Sequence, residues 1–226
     1  MRLDALHHGR RRGGGSPADA HASIIIRSPT AIPSNVQYRQ IFDTALIVID
    51  LQRDYFPDGK FALPGIERTV RRASALIALF RTHGMPVIHV RHIEKDPAVG
   101  FLLDGTPGIE IDPRVAPRGE DMLITKNYPN AFRDTTLAKI IYVLGAKELF
   151  FCGAMSNLCL DATVRAAFDM GYRCTVIEDA CAACDLVFGG DVIPATLVHG
   201  AFMAALASAY GEVVDLKTFS TRLAGG

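Results

Sequence analysis

The stretch TALIVIDLQ, residues 44–52, decides the fold. It is a continuous apolar run rich in β-branched residues, and it stops at Asp50. A half-buried strand would alternate apolar and polar residues. An unbroken short run is the signature of a strand covered on both faces, as in a parallel sheet. Downstream, Ile66, Val70, Ala73, Ile77 and Phe80 recur at helical spacing, and THGMP (82–86) ends that helix. PVIHV (86–90) reads as the second strand, DMLITK (121–126) as the third, ELFFCG (148–153) as the fourth and RCTVIED (173–179) as the fifth. EVVDL (212–216) gives a short sixth.

Helices fall between the strands. One runs over 134–145, with Asp134 as its N-cap and Gly145 closing it. The next covers 157–170, with Leu160, Val164, Ala167 and Phe168 on one face. Residues 193–206, IPATLVHGAFMAAL, form an almost wholly apolar helix. Residues 93–121 are rich in Pro, Gly and Asp and read as a long functional loop. Strands alternating with helices predict a three-layer α/β/α fold around a doubly wound, mostly parallel six-stranded sheet. Such sheets bind ligands outside the carboxyl ends of their strands.

The chain of 226 residues is 49% hydrophobic, enough for one sizeable core. Its 24 basic and 24 acidic residues cancel, which points away from nucleic-acid and membrane-surface partners. No apolar run approaches the ~18–20 residues of a membrane span. Five cysteines at irregular spacing argue against a secreted disulfide framework and for a reducing, cytoplasmic setting. Residues 1–40, with RRRGGGSPADAHA, read as a disordered N-terminal extension, so the folded domain is placed at 41–226.

The reactive side chains at strand ends are Asp50, His89 and His92, Lys126 and Asp179, with Cys159 just past the fourth strand. Cys159 stands at the start of a helix, where a thiolate is favoured. Taken singly, each has a structural reading: Asp50 as a cap, Lys126 as a strand-end lysine, Cys159 as a small buried hydrophobe. An acid, an amine and a thiol along one sheet edge fit one site better.

Four stretches carry a resemblance. They are VIDLQRDYF (48–56), GTPGIEI (105–111), ITKNYPNAFRDTTL (124–137) and GAMSNLCLDATVRAAFDMGYRCTVIEDACA (153–182). In this order, with Asp ending strand one, Lys ending strand three and a Gly-x-x-[ST]-x-x-Cys turn, the sequence resembles the isochorismatase-like cysteine hydrolase superfamily, whose fold is Rossmann-like. The resemblance covers about residues 44–215. It implies a catalytic triad of Asp50, Lys126 and Cys159. It also implies a non-proline cis peptide between Ala154 and Met155, and an oxyanion hole from the backbone N–H groups of Met155 and Cys159. The implied activity is hydrolysis of a C–N bond other than a peptide bond, in an amide, ureido or carbamoyl group, through a covalent acyl-enzyme and without a cofactor. Members that hydrolyse the vinyl ether of isochorismate typically lack this cysteine, so that activity is the alternative. A non-hydrolytic thiol redox or binding protein is another. Streptothricin-type lactam or amide hydrolysis is one narrower possibility.

Gln52, Tyr55, Phe56, His92, Tyr128, Asn130 and Phe132 flank the triad in sequence and are the expected wall of a small-molecule pocket. Gln52 is expected to support Asp50 or the cis turn. Ser156 and Asn157 are expected to cap the helix that presents Cys159. Nicotinamidases of this superfamily carry an Asp-x-His metal pair after strand two. Here VRHIEKD (90–96) puts His92 and Glu94 at those positions, so no metal is expected, although His89, His92 and Glu94 are ligand types. CAAC (181–184) follows a strand, as a redox motif would, but its flanks match the family's loop. The apolar 193–206 helix is expected to be covered either by the chain's own sheet or by a second copy, and the resemblance implies a homo-oligomer, dimer or tetramer.

Overall fold

The computed structural model describes residues 43–225. The extension expected at 1–40 lies outside them. In chain order the elements are β1 (Thr44–Ile49), α1 (Ile66–Thr82), β2 (Val87–His92), β3 (Met122–Lys126), α2 (Leu137–Leu144), β4 (Glu148–Ala154) and α3 (Cys159–Asp169). There follow β5 (Arg173–Ala182), β6 (Leu186–Phe188), β7 (Asp191–Ile193), α4 (Ala195–Ala209), β8 (Glu212–Val214) and α5 (Leu216–Gly225).

Six strands form one sheet in the order β3-β2-β1-β4-β5-β8, and every neighbouring pair is parallel. The apolar run that opened the reading is the sheet's inner strand: Ala45 to Ile49 are buried, between β2 and β4. From β1 the chain winds out through β2 to β3, then returns to the other side of β1 for β4, β5 and β8. Right-handed crossovers in opposite directions put α1 and α3 on opposite faces. α5 packs with α1, and α4 with α3. The order reverses between β1 and β4, so the crevice outside their carboxyl ends is where this topology places a ligand.

Helix α1 buries Ile66, Val70, Ala73, Ile77 and Phe80, as their helical spacing predicts, and Leu76 with them. Gly153 lets β4 approach β1 at the critical end. Its φ is +123°, and a Cβ there would lie 2.0 Å from the Ile49 carbonyl oxygen. The register of β4 against β5 shifts between Phe151 and Gly153, a bulge at the same place.

Several local expectations give way. Asp134 has a φ of +54° and does not cap α2, which begins after Thr136. Gly145 does close that helix, in the left-handed region. Phe168 faces outward at 44% exposure, edge-on to Tyr210. β5 continues three residues past Asp179, so that acid is not at a strand end. It binds Arg72 and the backbone N–H of Leu216 at the start of α5. The 93–121 segment is organised by three single 3-10 turns, each opened by proline: Pro97–Val99, Pro107–Ile109 and Pro113–Val115. The β6–β7 hairpin turns on Gly189 and Gly190, both at positive φ, as a two-residue turn of this hand requires. Helix α4 buries Ala195, Val198, Met203 and Leu206, while Leu197 joins Val187, Phe188 and Val192 among the exposed apolar residues.

Candidate active site

Three strand ends and one helix start meet at the crevice. Asp50 follows β1 directly, with φ +49° and its N–H bonded to the Val90 carbonyl. Lys126 ends β3, two strands away, and its long side chain reaches past the end of β2. Its ammonium lies 2.6 Å from Asp50 Oδ2, and both side chains are fully buried. Cys159 is the first residue of α3 and 3% exposed, and its sulfur lies within 4.8 Å of a carboxylate oxygen of Asp50 and a ring nitrogen of His92. The Ala154–Met155 peptide is cis. The Met155 carbonyl accepts from the N–H groups of Leu158 and Leu160, and so ties the turn to the first residues of α3. Thr163 accepts from the N–H of Ala131 and donates to the Cys159 carbonyl, which fastens α3 to the segment after Lys126.

A fully buried ion pair is a poor source of stability, because desolvation offsets the attraction. Here it sets protonation states. Burial disfavours the Lys126 ammonium, but Asp50 and then Cys159 outweigh that and hold its pKa above the usual lysine value. The Cys159 thiol is pushed up to about 12, first by burial and then by the Asp50 carboxylate, against the opposing pull of Lys126. The thiolate expected from the helix start is therefore corrected: the resting group is a thiol beside a carboxylate.

His92 ends β2, the strand between Lys126 and Asp50. Its Nδ1 is 2.9 Å from Lys126 Nζ, and its Nε2 is 3.5 Å from Glu94 Oε2. Burial, then Lys126, lower its pKa from the ordinary 6.5, so the ring is neutral near pH 7 and Nδ1 accepts from the ammonium. His92 thus belongs to the charged centre itself. His89 points to the other face, where it meets Asp121 at 3.2 Å. His89, His92 and Glu94 therefore do not converge. Asp50, His92 and Cys159 do: their ligand-type atoms lie within 4.8 Å of one another.

The expected pocket wall divides. Tyr55 is buried near Cys159 and Asp50; burial first, then their charge, raises its pKa well above 10.0. Gln52 donates its backbone N–H to the Asp50 carbonyl, but its side chain reaches neither Asp50 nor the cis turn. Its amide is used up on backbone, donating to the carbonyls of His92 and Ile109 and accepting from the His92 N–H. Asn130 accepts from the Phe132 N–H and is a turn residue, with Phe132 buried behind it. Tyr128 lies under the Arg133 guanidinium, 3.6 Å from the ring centroid. Phe56 faces away from the triad. It lines a cleft of about 660 Å³ with Arg53, Phe101, Thr106 and Arg114, and none of Asp50, Lys126 or Cys159 borders that cleft. The cleft's basic Arg114 is already engaged by Asp112 and Glu67, so it is an outer groove rather than the reacting centre.

Ser156 and Asn157 do not cap α3, whose N-cap is Leu158 without a side-chain bond. Ser156 Oγ is instead 2.9 Å from His199 Nδ1 on α4, and His199 Nε2 is 3.4 Å from Glu178 Oε2. His199 was missing from the sequence reading; the only signal was one histidine in an otherwise apolar helix. Asn157 Nδ2 approaches Cys184 Sγ at 3.8 Å. Cys181 and Cys184 are both free, and a hairpin follows them where a redox motif would open a helix.

An acid, an ammonium and a thiol closed together at the switch point of a parallel sheet define a hydrolase of the isochorismatase type, and the chain belongs to the isochorismatase family: the family's isochorismatase domain matches residues 44–217. Among its relatives is the isochorismatase family protein YddQ of Bacillus subtilis, 45% identical over 176 residues, covering 78% of this chain and 98% of that one. Nicotinamidase 3 of Arabidopsis thaliana is 33% identical over 173 residues, covering 70% and 80%. The crystal structure of an isochorismatase hydrolase from Oleispira antarctica superposes with a TM-score of 0.75 at 42% identity, covering 78% of this chain and 95% of that one.

Proposed function

We propose that this protein is a cysteine hydrolase that cleaves a C–N bond in a small amide, ureido or carbamoyl compound through an acyl-enzyme. The observation that carries this reading is the convergence of Asp50, Lys126 and Cys159 in one buried cluster, with the sulfur within 4.8 Å of the carboxylate. A thiol with a pKa near 12 is no nucleophile by itself. Its proton must pass to Asp50 as sulfur attacks the carbonyl carbon. The oxyanion takes hydrogen bonds from the N–H groups of Met155 and Cys159. As the C–N bond breaks, Asp50 gives its proton to the departing nitrogen. Water then attacks the thioester, Asp50 takes a water proton, and the thiol is re-formed as the acid leaves. Lys126 keeps its charge throughout and holds Asp50 against the sulfur.

Kinship with a nicotinamidase supports the amide reading. Vinyl-ether hydrolysis is the second reading, and the cysteine at 159 speaks against it. The five free cysteines fit a reducing compartment, and no helix among the described residues is long and apolar enough to cross a membrane. Self-association around α4 is part of the proposal; light scattering that shows only monomers removes it.

The decisive experiment is a screen of primary amides, ureido acids, carbamoyl compounds and streptothricin lactam, read by released ammonia or amine. Turnover by the wild type and none by Cys159→Ser is the expected result. Turnover retained in Cys159→Ser refutes the nucleophile, and turnover of isochorismate alone favours the second reading.

A further inference from the structure

Lys126 is held much as a bound metal ion would be. Its ammonium forms an ion pair with Asp50 Oδ2 at 2.6 Å and hydrogen-bonds His92 Nδ1 at 2.9 Å, and it lies beside Cys159. The three surrounding groups offer a carboxylate oxygen, an imidazole nitrogen and a sulfur, all within 4.8 Å of one another. These are the atoms that bind zinc, at about 2.0–2.3 Å, and a set of three leaves a fourth position open. From the position of the ammonium, at 2.6 and 2.9 Å, the Asp50 oxygen would have to close in by about 0.6 Å and the His92 nitrogen by about 0.8 Å.

Two further observations point the same way. Glu94 Oε2 stands 3.5 Å from His92 Nε2. A metal-bound histidine almost always passes its second N–H to a carboxylate or carbonyl, which fixes the tautomer and turns the other lone pair to the metal. Glu94 is so placed, and Nδ1 faces the centre. Asp50 is 0% exposed, and neither carboxylate oxygen has a hydrogen-bond partner, Oδ2 meeting Lys126 as an ion pair. A buried carboxylate oxygen without a donor has coordination capacity to spare.

We propose that Asp50, His92 and Cys159 form a binding site for a thiophilic divalent cation such as Zn²⁺, with Lys126 as its built-in competitor, so that the cation reversibly shuts the catalytic centre. Entry of the cation breaks the hydrogen bonds of Lys126 and forms one bond each to oxygen, nitrogen and sulfur. One proton leaves the Cys159 thiol and one leaves the Lys126 ammonium, both to solvent. The two charges gained equal the two lost, so the buried centre keeps its net charge, and no atom changes oxidation state. The cation site stands on geometry alone; its role as an off-switch rests on the hydrolase reading above.

Titration of the full chain with Co²⁺, followed by displacement with Zn²⁺, tests the site without any substrate. The expected result is one Co²⁺ per chain, with a thiolate-to-cobalt charge-transfer band that Zn²⁺ removes. The band is absent in Cys159→Ser, and affinity falls at least about tenfold in His92→Phe. Lys126→Ala binds roughly a hundredfold tighter, because the competing positive charge is gone. Lys126→Met gives the same comparison should the alanine variant fold poorly. Absence of a thiolate band in the wild type at millimolar Co²⁺ overturns the proposal, as does equal affinity in wild type and both Lys126 variants. A chain that binds Co²⁺ through Cys159 yet hydrolyses no C–N compound upholds the site and counts against the hydrolase reading instead.

Discussion

Strand β2 carries two buried histidines, His89 and His92, three residues apart and so on opposite faces of the sheet. Each faces a carboxylate that is paired with a cation: Asp121 with Arg81, and Asp50 with Lys126. In the first cluster the carboxylate is saturated, although His89 Nδ1 has no partner. Asp121 accepts from Arg81, from the backbone N–H of Arg118 and from His89, and Arg81 keeps 28% of its side chain in solvent. In the second, the pair is wholly buried, and neither Asp50 oxygen has a hydrogen-bond partner, with Lys126, His92 and Cys159 around it. The same three residue classes therefore serve two ends. Where both carboxylate oxygens are bonded and the cation keeps part of its side chain in solvent, the cluster braces the fold. Where partners run short beside a thiol, it is set up for chemistry.

The comparison is broken most sharply at Cys159. Cys159→Ser is expected to lower kcat/KM by about 10⁴-fold or more, with urea unfolding almost unchanged, because the side chains are similar in size. Next come the two carboxylates. Asp50→Asn leaves a buried ammonium without its counter-charge and should cost about 3–5 kcal/mol of stability. Asp121→Asn leaves Arg81 able to reach water and should cost about 1 kcal/mol. Equal shifts in urea midpoint would erase the distinction between the clusters.

The histidines sharpen it through pH. Burial, opposed by Asp121, lowers His89 to about 4. Its unfolded value is about 6.5, so between those pH values the unfolded chain binds the extra proton. Stability is full above pH ~6.5 and should fall as pH drops towards 4, by about 3 kcal/mol from this group. His89→Gln should flatten that limb in urea midpoints measured across the range. The smallest effect is expected at Ser156→Ala, which removes the bond to His199 and should cost about 1 kcal/mol, read from the same unfolding curves.

Patterns that repeat along the chain were legible in the sequence. The six-stranded parallel sheet and helix α1 follow from apolar periodicity, and the meeting of Asp50, Lys126 and Cys159 from strand ends and motif order. Interactions that join distant segments were not. Gln52 looked like a site residue because it lies two positions from Asp50, but its amide spans to His92 and Ile109. Asp134 looked like a cap, yet its backbone is left-handed. His199 lies 43 residues from Ser156. The β6–β7 hairpin did have a local signal, the Gly189-Gly190 pair between apolar residues, and was overlooked because its strands are three residues each. The thiol's protonation state depends on burial, which no local pattern encodes.

That hairpin has a consequence for how the molecule breathes. Ala183, Ala195 and Val198 form a small apolar cluster of their own, apart from the main core, with Leu186, Ile193 and Phe202 around it. A unit with few buried neighbours opens at lower free energy than the sheet it sits on. Amide protons over 186–193 should therefore exchange with solvent deuterium well before those of β1. Because Asn157 touches Cys184 at the hairpin's root, each such opening also loosens one side of the turn that presents Cys159.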